Sequence, residues 1–273
     1  MPQPDITQYQ PWSTTAPTYS SNVGRTSAFA AARLIELVHS KRPIIPDSLI
    51  LDNGAGTGAV TLALASQFPT TCTIATDISA SMLSSISAQQ LPNVTTRVLD
   101  ARTLTQELEK GSFTHVFNTF MLQTITTPLA ALKEMYNVIS PCGTMGIAIW
   151  AQRNGPFEIW ERACQSIDPS YQLPAPFDDP EAWRTKEELQ TALRQVGLQD
   201  VECEEISMPF EFESTKAYMD FWFGAKNPAA VKVMSDWKGS MDKVVKAVER
   251  VVRDEYDSGK KIFAWAVLGT GTR

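Results

Sequence analysis

Hydrophobic and polar positions in this chain follow two alternating periods. The first 21 residues follow neither. They are rich in Pro, Ser, Thr and Gln and read as a polar arm, taken as 1–25. Residues 26–39 have helical spacing, with Phe29, Leu34, Leu37 and Val38 near one face. Pro43 and Pro46 stop that helix. Short apolar runs then predict strands at 48–52, 71–76, 94–99, 113–118 and 144–150. Between them lie helices at 59–67, 81–90 and 128–139, with Ser79 as an N-cap and Pro128 in a first turn. Strands alternating with helices at this spacing imply βαβ units, and so a parallel sheet covered on both faces.

Beyond Trp150 the pattern loosens. A helix is predicted at 157–167, followed by a stiff loop containing Pro169, Pro174, Pro176 and Pro180. Thr185-Lys186-Glu187-Glu188 is a capping box that opens a helix ending at Val196, with Gly197 as its stop. A strand lies within 201–212. Helices follow at 214–223 and about 228–257, the second with an apolar stripe of Met241, Val244, Val245, Val248 and Val252. The last strand is 262–268. The helices of 214–257 fall between the last two strands and read as an inserted cap. The whole chain, 1–273, reads as one domain: a core over 26–150 and a substrate side over 151–273.

Composition narrows the function classes. With 43% hydrophobic and 20% charged residues, 273 residues can bury a full core. A net charge of -6 weighs against nucleic acid, which needs a basic surface to displace counterions. The four cysteines, Cys72, Cys142, Cys164 and Cys203, are far apart, as expected of a reduced, cytoplasmic compartment. Neither a secretory leader nor an apolar run of the ~18–20 residues that span a bilayer is seen. Only His39 and His115 are present, so no metal is expected.

The most informative segment is Ile50-Leu51-Asp52-Asn53-Gly54-Ala55-Gly56-Thr57-Gly58, which follows a strand and opens a helix. Glycines there allow a tight turn and close approach of a ligand to the backbone. Gly54, Gly56 and Ala59 also fit the dinucleotide pattern G-x-G-x-x-A. Asp52 argues the other way: a carboxylate beside the loop would repel a pyrophosphate and suit a ligand carrying an ammonium and a sulfonium, as S-adenosylmethionine does. Asp77 ends the second strand, 19 residues beyond Gly58, where an acid can accept from both ribose hydroxyls. Asp100, at the end of the third strand, would lie near an adenine amino group.

At these residues the chain resembles the class I S-adenosylmethionine-dependent methyltransferases. The resemblance is carried by Asp52 to Gly58, by Asp77-Ile78-Ser79-Ala80-Ser81-Met82-Leu83, by Asp100-Ala101, and by Ile139-Ser140-Pro141-Cys142-Gly143, where Cys142 replaces a usual glycine. More narrowly, Leu51-Asp52-Asn53, Thr114 to Phe117 and Ala131 to Glu134 resemble the gliotoxin-type N- and S-methyltransferases of fungal secondary metabolism. The resemblance implies a Rossmann-like α/β fold with a seven-stranded, mostly parallel sheet whose last strand, 262–268, runs antiparallel. It implies a single-displacement methyl transfer. Asp52, Gly54 and Gly56 would hold the methionine part, with Asn53 and Ala55 beside them. Asp77 and Ile78 would hold ribose and adenine, with Met82 nearby. Asp100 and Ala101 would border the adenine edge, and Asn118 would flank the methionine side.

No convincing general base is visible. His115 lies mid-strand and reads as packed. His39 ends a helix, where a cation interacts well with the dipole. Cys142 and Cys164 lack basic neighbours and read as inert. In-line transfer from a sulfonium needs mainly positioning, worth on the order of 7–11 kcal/mol. Aromatic residues point to a small, largely apolar acceptor: Phe120, Gln123, Trp150, Phe157, Trp160, Tyr218 and Trp222 are the candidate acceptor contacts, with Tyr19 and Trp12 of the arm helping to close the pocket. Two other readings stay open, an NAD-dependent oxidoreductase and a family member that binds the cofactor without transferring its methyl group. The Asn-Pro-Pro-Tyr signature of base methylation is absent, since Thr119-Phe120-Met121 follow Asn118.

Overall fold

The computed structural model describes residues 23–174, 183–224, 228–257, 259 and 261–273. Trp12, Tyr19, Pro176 and Pro180 lie outside the described residues. The chain enters through helix α1 (Gly24–Lys41) and then alternates strand and helix: β1 (Leu49–Asn53), α2 (Ala59–Gln67), β2 (Cys72–Asp77), α3 (Ala80–Ser87), β3 (Val94–Val98), β4 (Phe113–Thr119), α4 (Pro128–Val138) and β5 (Ile139–Asn154). Helices α5 (Gly155–Gln165) and α6 (Lys186–Gln195) lead to β6 (Gln199–Pro209). The cap follows: α7 (Thr215–Met219), a π turn at Asp220–Gly224, α8 (Pro228–Asp236) and α9 (Met241–Asp257). Strand β7 (Phe263–Thr272) closes the fold.

One seven-stranded sheet runs in the order β3-β2-β1-β4-β5-β7-β6. Strands β1 to β5 pair in parallel, and β7 inserts antiparallel between β5 and β6. This is the Rossmann-like architecture that the resemblance implies. Central strands such as β1 and β4 are buried almost throughout, because helices cover both faces. One core layer joins α1, α2 and α5 to the cap, and the other lies under α4 and α6. Among the described residues no helix is long and apolar enough to cross a membrane.

Local signals shape several elements as their residues dictate. The capping box forms: Thr185 Oγ1 accepts from the Glu188 N–H at 3.2 Å, and the Glu188 carboxylate accepts from the Thr185 N–H at 3.0 Å. Ser79 caps α3 through the Met82 N–H. At the turn before the long part of β5, Cys142 takes φ +61°, a left-handed conformation that glycine adopts more easily.

Three expectations are corrected. Phe29 is 49% exposed. The buried face of α1 is instead set by Ala30, Ala31, Leu34, Ile35 and Val38, since α1 lies so close to β5 that a Cβ on Gly146 would stand 2.5 Å from Val38. The helix expected over 228–257 breaks between Asp236 and Met241, where the Trp237 ring lies against Gly239. Met241 is therefore exposed and leaves the apolar stripe, which consists of Val244, Ala247, Val248 and Val252. Strand β5 is longer than 144–150, because pairing with β7 carries it to Asn154.

Candidate functional site

A cavity of about 640 Å³ opens at the C-terminal ends of the central strands, within the range of small-molecule sites. The glycine loop forms one wall. Gly54 has φ +74° and its Cβ would lie 2.7 Å from Met121 Cβ, so glycine is required both for the turn and for the approach. Gly56 has φ +56°, and a Cβ there would meet open space.

The loop's donors are turned inward. The Gly54 and Ala55 N–H groups both donate to the Thr76 carbonyl at 2.8 Å, and the Gly58 N–H donates to Ala55. The Gly56 N–H donates to Asp77 Oδ2 at 3.0 Å, and the Ser79 N–H to Asp77 Oδ1 at 2.9 Å. A pyrophosphate cradle needs these N–H groups free. Asp77 lines the cavity, and each of its oxygens keeps a lone pair for a hydroxyl donor. Burial raises the Asp77 carboxyl above its ordinary range, against the Ser79 and Gly56 hydrogen bonds.

Asp52 is placed differently from its expected role beside the ligand. It is fully buried and does not line the cavity. Its Oδ2 accepts from the Thr61 N–H at 3.0 Å and the Thr61 hydroxyl at 2.6 Å, which fixes the start of α2. Burial pushes its carboxyl up to about 6 against those hydrogen bonds, and the Asp77 charge raises it further. The inward-turned donors, not Asp52, therefore separate this loop from a dinucleotide fingerprint.

Asn118 likewise stands behind the loop. It is wholly buried behind Gly54, where its Nδ2 donates to the Asn53 carbonyl at 2.5 Å, and it does not line the cavity. Asn53 does line it, and its Oδ1 accepts from Thr76 Oγ1 at 3.0 Å. Ala55, Ile78, Met82, Asp100 and Ala101 line the cavity. Burial alone would raise the Asp100 carboxyl, but Arg102 holds it below its ordinary value through several hydrogen bonds, including Nη2 to Oδ2 at 2.7 Å.

The other wall is aromatic. Phe120, Trp150, Phe157 and Trp222 line it. Phe120 stacks on Trp150 with ring centroids 4.0 Å apart. Its φ of +59° is a strained conformation for a bulky residue, of the kind that clusters at functional sites. Gln123 also lines the cavity, but its amide is used on backbone: it accepts from the Trp150 N–H and donates to the Trp150 and Trp183 carbonyls. Trp160 and Tyr218 do not reach the cavity. Both are buried in the core, where Trp160 Nε1 donates to the Tyr171 hydroxyl at 3.0 Å and the Tyr218 hydroxyl to the Pro156 carbonyl at 3.1 Å. Arg25, Ser27, Arg184 and Phe210 line the cavity and were not singled out by the sequence; they come from helix and strand ends whose spacing gives no signal.

Both histidines are structural. Burial lowers His115 to about 4, and its Nε2 donates to the Arg42 carbonyl at 3.2 Å. His39 Nδ1 accepts from the Ile44 N–H at 3.1 Å, just past the end of α1. Burial pushes the Cys164 thiol up to about 12, consistent with an inert side chain.

Comparison with known proteins agrees with this geometry. Residues 50–143 match the family model described as a methyltransferase domain. Over 125 residues the chain is 31% identical to trans-aconitate 2-methyltransferase of Deinococcus radiodurans, covering 46% of this chain and 45% of that protein. The chain thus aligns with about half the length of the curated relatives it matches. Two solved structures share the fold. One is a chain in the Haloferax volcanii complex that contains the Trm112 methyltransferase activator, with TM-score 0.58, 17% identity, and coverage of 97% and 95%. The other is phosphoethanolamine N-methyltransferase 2 of Haemonchus contortus with S-adenosylhomocysteine, with TM-score 0.52, 18% identity, and coverage of 88% and 52%.

Proposed function

We propose that the protein is an S-adenosylmethionine-dependent methyltransferase acting on a small, largely apolar molecule. One observation carries the cofactor assignment: the glycine loop spends the Gly54, Ala55 and Gly56 N–H groups on Thr76 and Asp77 and presents an acid to the cavity. That arrangement disfavours NAD. It suits a ligand with ribose hydroxyls and positive charge. The methyltransferase-domain match over the same residues supports it, and the relative acting on trans-aconitate supports a small acceptor. The narrower resemblance to fungal enzymes supports a place in secondary metabolism.

In this reading Asp77 accepts from the ribose hydroxyls, and Ile78, Met82 and Ala101 hold the adenine between them. Asp100 keeps its charge beside the adenine edge, and the backbone of Asn53 to Gly56 borders the methionine part. Asp52 and Asn118 act from behind, by fixing the loop. When bound, S-adenosylmethionine supplies a methyl group already activated by its sulfonium. The chain's residues then orient the acceptor and exclude water: Phe120, Trp150 and Phe157 provide an apolar wall, and the cap covers it. Neither histidine is placed to take a proton, so transfer is driven by positioning.

Calorimetric titration with S-adenosylmethionine, S-adenosylhomocysteine and NAD tests this. Micromolar binding of the two sulfur compounds without NAD is expected. Binding of NAD alone would select the oxidoreductase reading. Binding of both sulfur compounds with no mass gain in any acceptor screened would favour a non-methylating member.

A further inference from the structure

Four charged side chains line the cavity: Asp77, Asp100, Arg25 and Arg184. The acids stand at one end, Asp77 as the last residue of β2 and Asp100 just after β3. Arg184 stands at another rim, where its charge bears on Glu188. Arg25 belongs to the β5–β7–β6 half. It opens α1, and the neighbouring Thr26 hydroxyl donates to the Pro209 carbonyl at the end of β6 at 3.0 Å. Pro209 pairs with Phe263, and Asn154, the last residue of β5, with the adjacent Ala264. Phe210 then packs on Phe221, beside Trp222, with centroids 5.7 Å apart.

Four cavity-lining residues carry a buried polar atom with no hydrogen-bond partner among the described residues: Asn53 Nδ2 at the loop, and Ser27 Oγ, Asn154 Oδ1 and Trp222 Nε1 around that bend. Ser27 is 4% exposed and Trp222 1%. An unpaired buried polar atom is costly, and Ser27 Oγ and Trp222 Nε1, the two around that bend that can donate, mark a place where a ligand atom completes the bonding. Arg25 makes no ion pair among the described residues. On its outer side Arg25 also borders a depression together with Glu211, Glu213 and Lys261.

We propose that the acceptor carries a carboxylate and that this end of the cavity is its head-group site. Arg25 supplies the charge, Ser27 and Trp222 donate hydrogen bonds, and Phe157 and Phe210 hold the apolar remainder. Asn154 can turn its amide to donate as well. The proposal rests on reading the opposite end as the cofactor site. It adds an anionic anchor to an acceptor that the aromatic wall alone would describe only as apolar.

The test is calorimetric titration of the full chain saturated with S-adenosylhomocysteine, using 2-naphthoate and its uncharged isostere 2-naphthamide. Naphthoate is expected to bind at least about tenfold tighter. Arg25→Gln should bring the two probes within about twofold of each other, and Trp222→Phe, which keeps a ring and removes the N–H, should weaken naphthoate by about threefold to tenfold. Equal affinities in the wild type would overturn the proposal, as would no binding of either probe by about 5 mM or a preference that survives Arg25→Gln. Loss of S-adenosylhomocysteine affinity in Arg25→Gln with the preference intact would assign Arg25 to the cofactor instead. Failure of the wild type to bind S-adenosylhomocysteine would remove the cofactor reading, and this one with it.

Discussion

The two walls of the cavity are built in different ways. The loop wall is held by hydrogen bonds within one stretch of chain: β1 runs into Gly54 and Ala55, both of which donate to Thr76, and Asp77 accepts from Gly56 and Ser79. Its geometry follows from the β1–β2 register, which puts Asn53 opposite Thr76. The aromatic wall is assembled from the start of α1, the ends of β4, β5 and β6, and the cap. It is held by ring contacts, such as Phe157 against Trp222 at 5.3 Å. Buried polar atoms without a partner among the described residues occur on both sides: Asp52 Oδ1, Asn53 Nδ2 and Asn118 Oδ1 at the loop, and Ser27 Oγ, Asn154 Oδ1 and Trp222 Nε1 here. A hydrogen-bonded wall tolerates little change, because each lost partner strands a buried group. A ring-lined wall can exchange one apolar side chain for another at modest cost. The two should therefore fail separately, cofactor affinity with the first and acceptor recognition with the second.

The hardest test of that separation is Asp77→Ala. The substitution strands the Gly56 and Ser79 N–H groups and removes the hydroxyl acceptor. S-adenosylhomocysteine affinity should fall about 100-fold or more, on the order of 3 kcal/mol. Folding stability should change much less, because burial already disfavours the Asp77 charge and its removal offsets part of the lost hydrogen bonding. Titration calorimetry beside thermal melts reads both. Unchanged affinity would show that the ribose site is misplaced.

A smaller effect is expected behind the loop, at Asp52. Its carboxyl titrates at about 6 in the fold against an ordinary 3.8. The folded state therefore binds the proton more tightly, and stability is lost as pH rises from about 4 to 6, by at most about 3 kcal/mol. His115 runs the other way: lowered from 6.5 to about 4, it costs stability as pH falls through that window. Asp52→Asn keeps an oxygen for Thr61 and removes the ionisation. Relative to wild type, the variant should gain stability steadily from about pH 4 to 6, and the acid loss due to His115 should stand uncovered. Urea unfolding across that range checks it; a pH-independent difference between the two proteins would refute the coupling.

The loop wall was largely legible in the sequence because its parts lie within one βαβ unit. Asp52 to Gly58, Asp77 and the Ser79 cap all fall inside about thirty residues, and the alternation of strand and helix places them at one edge of the sheet. The direction of Asp52 was not legible. Strand β1 is buried on both faces, so no polar alternation shows which side chains point to the ligand. The aromatic wall was legible only as a composition. Trp160 and Tyr218 carry the same signal as Phe157 and Trp222, and only the contacts of their polar tips, to Tyr171 and Pro156, show that they belong to the core. Arg25 and Phe210 meet across 185 residues of chain, a proximity set by the β6–β7 pairing and the Thr26–Pro209 bond.

The smallest effect is the one that completes the comparison. Phe157 is half-buried at the start of α5 and packs edge-on against Trp222, with the rings 73° apart. Phe157→Leu keeps most of the apolar volume and removes the aromatic pairing, worth about 0.5–1.5 kcal/mol. The melting midpoint should fall by only about 2–4 °C, as expected for a change of about 1 kcal/mol in a chain of this size. The ring's described partner is Trp222 and not the loop, so S-adenosylhomocysteine affinity should stay within about twofold of wild type. The affinity of an aromatic acceptor should fall severalfold. If cofactor affinity instead dropped along with it, the walls would be one cooperative unit, and the substrate side could not change without cost to cofactor binding.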